Sequence, residues 1–282
     1  MRIFVAGATG SVGFEFVRMA KAAGHSLDSL TRSPLAARKL TGMVDQAHVQ
    51  DVHDSLPSFQ GIDVVVSALG APVTLASREK RSYHAVDTEG NKKLLAAARA
   101  ARVPRFVYVS AHLEPSYRNT AYISAHEEFV DELRQAELSH SVIRPTGIFS
   151  AFNEVVELAK KGRGFVVGDG SARTNPVHQK DVAAQLVACL SAGPAEVSIG
   201  GPEIFTRSDI VELAFRVVGK QPQVMRVPKF AIQWGAKLVC LRNPRLGELF
   251  EFVTLAATND CVAPSIGNLR LEDHFKAIAA GG

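Results

Sequence analysis

The chain has 282 residues, 46% of them hydrophobic and 21% charged, with a formal net charge of +4. That length suits one large α/β domain or a nucleotide-binding domain with a smaller appendage, and the composition excludes disordered, collagen-like and coiled-coil classes. The small, scattered positive charge gives no basis for nucleic-acid contact, and no apolar stretch approaches the roughly eighteen residues of a membrane span.

Ile3 to Ala6 reads as a fully buried strand, and beyond a run of glycines Phe14, Phe16, Val17 and Ala20 share one face of a helix that Gly24 ends. Ser26 to Thr31, Ala47 to Val49, Asp63 to Ala68 and Arg105 to Ser110 read as the next four strands, with a helix over Thr88 to Arg102 before the last of them. Strand and helix alternating in this way predict parallel pairing with right-handed crossovers, an α/β fold of the Rossmann type with a doubly wound parallel sheet. Ala125 to Ala136 then reads as a helix, His140 to Arg144 as a strand broken by Pro145, Asn153 to Lys161 as a helix, Phe165 to Val167 as a strand and Lys180 to Leu190 as a helix. From about Ile204 the pattern is mostly helical, with Ser208 to Val218 and Phe230 to Leu241 punctuated by Pro222, Pro228 and Pro244.

Cys189, Cys240 and Cys261 have neither CxxC nor zinc-ligand spacing, so no metal site and no disulfide framework are expected. Met1 to Ala6 runs straight into glycines and leaves no room for an export signal, so the expected setting is a reducing, cytoplasmic one.

Gly7-Ala8-Thr9-Gly10-Ser11-Val12-Gly13 lies between the first strand and the first helix, where a GxxGxxG spacing has a mechanism. Gly7 permits the tight turn, Gly10 lets the backbone approach a pyrophosphate, and Gly13 lets helix and strand pack closely, while the helix N-terminus supplies N–H donors. The second strand ends at Arg32, with Ser33 beside it, where an Arg would meet a 2′-phosphate and an acid would meet a ribose 2′-hydroxyl. That choice favours NADP(H), since Asp28 lies mid-strand and out of reach. The other reading of Arg32 is a surface cation without a role. Residues 1–150 are thus expected to form an NAD(P)-binding domain, and 151–282 a smaller, discontinuous substrate-binding part with some segments returning to the core. A small-molecule substrate would bind in the cleft between them.

The glycine loop, Thr31-Arg32-Ser33, Asp51-Val52, Ser67-Ala68-Leu69-Gly70, Tyr108-Val109-Ser110-Ala111, Arg144-Pro145-Thr146-Gly147 and Asn175-Pro176-Val177-His178 with Asp181 follow one another in an order that resembles atypical short-chain dehydrogenase/reductases of the NmrA-like, NAD(P)H-binding branch. The resemblance runs over essentially the whole chain, to Leu271-Glu272-Asp273-His274-Phe275. It implies that Gly7, Thr9, Gly10, Ser11, Val12 and Gly13 hold the pyrophosphate and that Arg32 and Ser33 hold the 2′-phosphate. It further implies that Asp51 and Val52 hold the adenine, Ala68, Leu69 and Gly70 the ribose, and that Pro145, Thr146, Gly147 and Ile148 lie beside the nicotinamide.

Active members of that superfamily use Ser, Tyr and Lys, because a carbonyl oxygen gaining negative charge needs a donor, and a tyrosine works poorly as one near pH 7 without a neighbouring cation. The resemblance assigns Ser110 and Tyr122 to the first two roles. At i+4 from Tyr122, where the pattern has Lys, this chain has His126, which on a helix shares a face with the tyrosine and, protonated, could depress its pKa or bind the ribose. His112 is read as a loop histidine, the His178–Asp181 turn as structural, and Glu127, Glu128, Asp131 and Glu132 as a solvated face. Two functions follow. One is an NADPH-dependent oxidoreductase moving hydride to or from a small apolar carbonyl, enone or imine, with Tyr122 as proton donor. The other is a non-catalytic NADP(H)-binding redox sensor or complex-assembly factor, favoured by His126, with a protein partner. A homodimer is compatible with either.

Overall fold

The computed structural model describes residues 1–74, 77, 79–232, 234 and 243–281. The expected helix Phe230 to Leu241 and Cys240 therefore lie partly or wholly outside the described residues.

β1 (Arg2–Ala6) is buried from Ile3 onward, as a strand covered on both faces must be. Around it β2 (Ser26–Thr31), β3 (Gln46–Val49), β4 (Val64–Ser67), β5 (Arg105–Val109), β6 (Ser139–Pro145) and β9 (Glu196–Ile199) form a seven-stranded parallel sheet in the order β3-β2-β1-β4-β5-β6-β9. The doubly wound sheet predicted from the alternation is present. Its last strand was not expected, because Glu-Val-Ser-Ile is short and half polar, and pairing with β6 is what makes it a strand.

Helices cover both faces. On one, α1 (Ser11–Ala22) buries Val12, Phe16, Val17 and Ala20, and α6 (Gln179–Ala188) buries Val182, Ala183 and Leu186, in one cluster with Ile3, Val5 and Val66. On the other, α3 (Gly90–Ala100) contributes Leu94, Leu95 and Ala98, and α4 (Ala121–Gln135) contributes Phe129, Val130 and Leu133, against Phe4, Val65 and Phe106. α4 begins a turn before the expected Ala125, because the Thr120 side chain accepts from the Ile123 N–H and caps it, which brings Tyr122 into the helix. Ahead of α3, His84–Glu89 forms a π-helical turn rather than the α-helix expected from Thr88, and it carries Val86, Asp87 and Thr88 inward.

After β6 come α5 (Asn153–Lys160), β7 (Gly164–Val167) and β8 (Arg173–Thr174), and later β10 (Phe205–Thr206), α7 (Arg207–Val217), β11 (Val224–Val227), α8 (Pro244–Thr258) and α9 (Leu271–Ala279). Val156, Ile210, Phe215, Leu271 and Phe275 gather there into a cluster of their own. The segment holding α6 and β9 packs instead into the core around β1 and pairs with β6. The β10–β8 pair is antiparallel and the β11–β7 pair parallel. No helix among the described residues is long and apolar enough to cross a membrane.

Candidate active site

The strand order reverses between β1 and β4, so a crevice opens at their C-terminal ends. Gly7 leaves β1 at φ +79, and a Cβ there would lie 2.3 Å from the Ala68 carbonyl oxygen. A Cβ on Gly13 would lie 2.2 Å from the Gly7 carbonyl oxygen, so helix and loop touch only because that position is bare. Gly10 is different: its φ of −75 suits any residue, and a Cβ would meet only the Gly7 oxygen, at 3.3 Å. What its missing side chain leaves open is the outside of the loop. Thr9, Gly10 and Ser11 are exposed there. No side chain caps α1, which leaves the N–H groups of its first turn and the positive end of its dipole for an anion. A pyrophosphate fits that cradle. Val12 is buried beneath it, and Ser11 Oγ meets Ser150 Oγ at 3.1 Å, linking the loop to the chain beyond β6.

Asn91 fixes the far wall. It accepts from Ser67 Oγ at 2.5 Å, and its Nδ2 donates to the carbonyls of Leu69 (3.3 Å) and Asp87 (2.7 Å), which tethers the segment Ala68, Leu69 and Gly70 after β4. Val52 is buried behind it. Beyond β6, Thr146 donates its hydroxyl to the Asn175 carbonyl at 2.6 Å, Ile148 bridges to Val177, and Gly147 lies where a Cβ would meet the Phe152 ring at 2.9 Å. Pro145 to Ile148 therefore run between the sheet and the smaller unit.

Just past the C-terminal end of β2, Arg32 is not free. Its Nη1 pairs with Glu79 Oε2, while Glu79 also takes Arg81 Nε at 3.0 Å, and Arg81 Nη1 meets both Asp51 oxygens at 3.1 Å. Ser33 is committed as the cap of α2 (Pro34–Arg38), accepting from the Ala36 N–H at 3.2 Å. Asp28 is buried and paired with Arg2 at 2.8 Å, away from the crevice as expected.

At the β5 end, Tyr122 and His126 do share a face, with ring centroids 4.7 Å apart. His126, however, points its Nδ1 at the Tyr108 hydroxyl, 2.5 Å away, and its Nε2 lies 3.5 Å from Asp87 Oδ1. Burial holds its pKa down to about 3. A histidine held down in this way packs as a neutral ring against both Tyr108 and Tyr122. Burial, then Asp87 and Tyr83, raise the Tyr122 phenol well above its ordinary range, and Arg245 opposes them. Arg245 is the cation that sequence reasoning missed: its guanidinium lies 3.4 Å over the Tyr83 ring, which stands edge-on to Tyr122 at 5.0 Å. Tyr122 also packs on Phe252 at 4.4 Å, and its hydroxyl has no hydrogen-bond partner among the described residues. Ser110 accepts from Arg144 Nη1 at 3.4 Å. No hydrogen bond joins Ser110 to Tyr122 among the described residues. Arg144 is itself buried and clamped by Glu127 (2.5 Å) and Glu196 (2.9 Å), so Glu127 leaves the solvated face expected of it. His112 is half-buried and lies 3.3 Å from Glu114. Asp181 accepts from the Asn268 and Leu269 N–H groups, each at 3.2 Å.

Burial also lifts the Asp87 carboxyl to about 8, against hydrogen bonding from the Ala71 N–H, so it is neutral at pH 7. The folded value lies above the unfolded one of about 4, so its contribution to stability is whole below about pH 4 and is lost as pH rises through about 8. Asp87→Asn stays neutral throughout, and His126, held down to about 3 by burial, stays neutral between pH 5 and pH 9. Thermal melts should therefore show the variant gaining about 1–3 kcal/mol on the wild type between pH 5 and pH 9. An equal gap at both pH values would mean that Asp87 is ionised throughout.

The family model for NAD(P)H-binding proteins matches residues 7–192. Over its length the chain is 28% identical to a chloroplastic divinyl chlorophyllide a 8-vinyl-reductase of Oryza sativa subsp. indica, covering 99% of this chain and 79% of that protein. It is 23% identical to the photosystem II assembly factor Ycf39 of Guillardia theta, over 81% of this chain and 74% of the relative. Among solved structures it resembles the UDP-glucuronic acid 4-epimerase of Bacillus cereus, in complex with NAD, with a TM-score of 0.75 at 14% identity, over 99% of this chain and 98% of that one. The last likeness is one of fold. It agrees with the doubly wound parallel sheet described above.

Proposed function

The chain belongs to the NAD(P)H-binding family, and from that membership we propose that it is an NADPH-dependent reductase delivering hydride to an activated double bond of a largely apolar small molecule, a carbonyl, enone, imine or conjugated vinyl group. The observation that carries this reading is the uncapped, glycine-walled N-terminus of α1, supported by a neutral tyrosine, Tyr122, on α4, the helix that follows β5. The relative named as a vinyl reductase supports including conjugated carbon–carbon double bonds among the acceptors.

NADPH, when bound, supplies the hydride. The chain's residues then handle the charge that follows: as hydride reaches the electrophilic carbon, the electron pair of the double bond moves to the far atom, which takes a proton from the Tyr122 hydroxyl. The phenolate left behind is reprotonated from solvent. Arg245, over the neighbouring Tyr83 ring, offsets that negative charge in the role a lysine fills in the superfamily pattern. His126 positions the Tyr122 ring and donates no charge, and Ser110, accepting from Arg144, keeps its own proton free to hydrogen-bond the acceptor. Loss of NADPH absorbance should accompany conversion of one class in a panel of enones, vinyl-conjugated rings, ketones, aldehydes and imines. Bound NADPH that none of them oxidises would overturn the reading.

A second reading is favoured by His126, neutral where a lysine would be charged, and by the Ycf39 relative: a cofactor-binding factor that acts by docking a partner protein. It predicts tight NADPH binding without turnover and a partner recoverable by cross-linking.

A further inference from the structure

Glu79 is the feature that the cofactor reading leaves unused. Its side chain is only 7% exposed, although it lies in a segment rich in polar residues. Each of its oxygens is over-supplied with donors. Oε1 takes Arg81 Nε at 3.0 Å and the N–H groups of Lys80 and Arg81 at 3.1 Å, while Oε2 sits between two guanidinium groups, that of Arg32 and Arg81 Nη2 at 3.2 Å. A single oxygen bridging two arginines is the coordination that a phosphate oxygen takes. One of those arginines directly follows β2, and the other holds both carboxylate oxygens of Asp51 at 3.1 Å. The four side chains, Arg32, Arg81, Glu79 and Asp51, sum to zero charge.

We propose that Glu79 is a built-in stand-in for the 2′-phosphate of NADP(H), occupying Arg32 and Arg81 until the nucleotide displaces it, and that it sets how strongly the protein discriminates NADPH from NADH. This inference rests on the proposed cofactor crevice. The charge count supports displacement rather than addition. A phosphate monoester brings a charge of about −1.5 to −2, which added to a neutral set would stand beside two carboxylates, whereas in place of Glu79 it meets two arginines and one acid. Arg32 is free to follow it, since its side chain is 57% exposed while Glu79 is held from the Arg81 side. Arg81 is a specificity residue in the same sense, and its hold on Asp51 gives the adenine pocket and the phosphate pocket one shared cation.

The test is calorimetric titration of wild type, Glu79→Gln and Arg32→Ala with NADPH, NADH and 2′,5′-ADP. The glutamine keeps the shape and the backbone hydrogen bonds and removes the charge. Glu79→Gln should tighten NADPH and 2′,5′-ADP by about tenfold while NADH changes by less than about twofold, and Arg32→Ala should lose NADPH selectively. An unchanged NADPH-to-NADH ratio in Glu79→Gln, with both nucleotides bound, would overturn this inference alone. If neither nucleotide bound the wild type or the glutamine variant, the cofactor crevice itself would be refuted, and this inference with it.

Discussion

Gly10→Ala will leave the protein folded and weaken NADPH by at least about tenfold. The loop separates two demands that glycine-rich sequences usually mix. At Gly7 a methyl group would stand 2.3 Å from a backbone oxygen at φ +79, and at Gly13 it would stand 2.2 Å from another, so substitution there damages the fold before any ligand is considered. At Gly10 the backbone is extended and the nearest atom is 3.3 Å away, so the fold tolerates a methyl group at a cost of about 1 kcal/mol or less. That methyl group would point into the space that a pyrophosphate needs to reach the N–H groups of α1. The check pairs a denaturant melt, expected to move little for Gly10→Ala and substantially for Gly7→Ala, with an NADPH titration. Normal NADPH affinity in a folded Gly10→Ala protein would place the dinucleotide elsewhere.

Tyr122→Phe is expected to lower turnover by about a hundredfold or more while NADPH affinity stays within about twofold. The ring's neighbours, Tyr83 at 5.0 Å, His126 at 4.7 Å and Phe252 at 4.4 Å, contact its faces and edges, so the phenylalanine keeps the packing and removes only the hydroxyl. Because burial raises the phenol, it is a weak acid, and the nearby cation matters correspondingly. Arg245→Met should therefore slow turnover as well, and do so most for acceptors that gather the most negative charge. Unchanged turnover in Tyr122→Phe would transfer the proton donor to another group.

Much of the nucleotide side was legible in the sequence. Ser26 to Thr31 is a strand with the bounds its residues suggested, and the glycine loop stands where strand, turn and helix required. Those features are written in neighbouring residues, where local periodicity and backbone freedom decide the outcome. The electrostatics were not local. Arg32 meets Glu79 across 47 positions, and Arg245 reaches the Pro72 carbonyl beside Tyr83 across 173, so neither pairing leaves a trace in spacing along the chain. His126 was legible as a neighbour of Tyr122, but its partners Tyr108 and Asp87 were not, because they come from a strand and a π-helical turn distant along the chain. Asp87 carried a signal only in hindsight: an acid among Val86, Thr88 and other inward residues of a buried turn.

The most direct test of hydride transfer uses NADPH carrying deuterium at the reactive C4 position, incubated with the purified protein and the acceptor panel, with products read by mass spectrometry. The account predicts one deuterium in the product for each NADPH oxidised, and label transfer slowed by about a hundredfold in Tyr122→Phe. Tightly bound NADPH whose label never leaves it, whatever the acceptor, would contradict the account and establish the protein as a binder rather than a reductase.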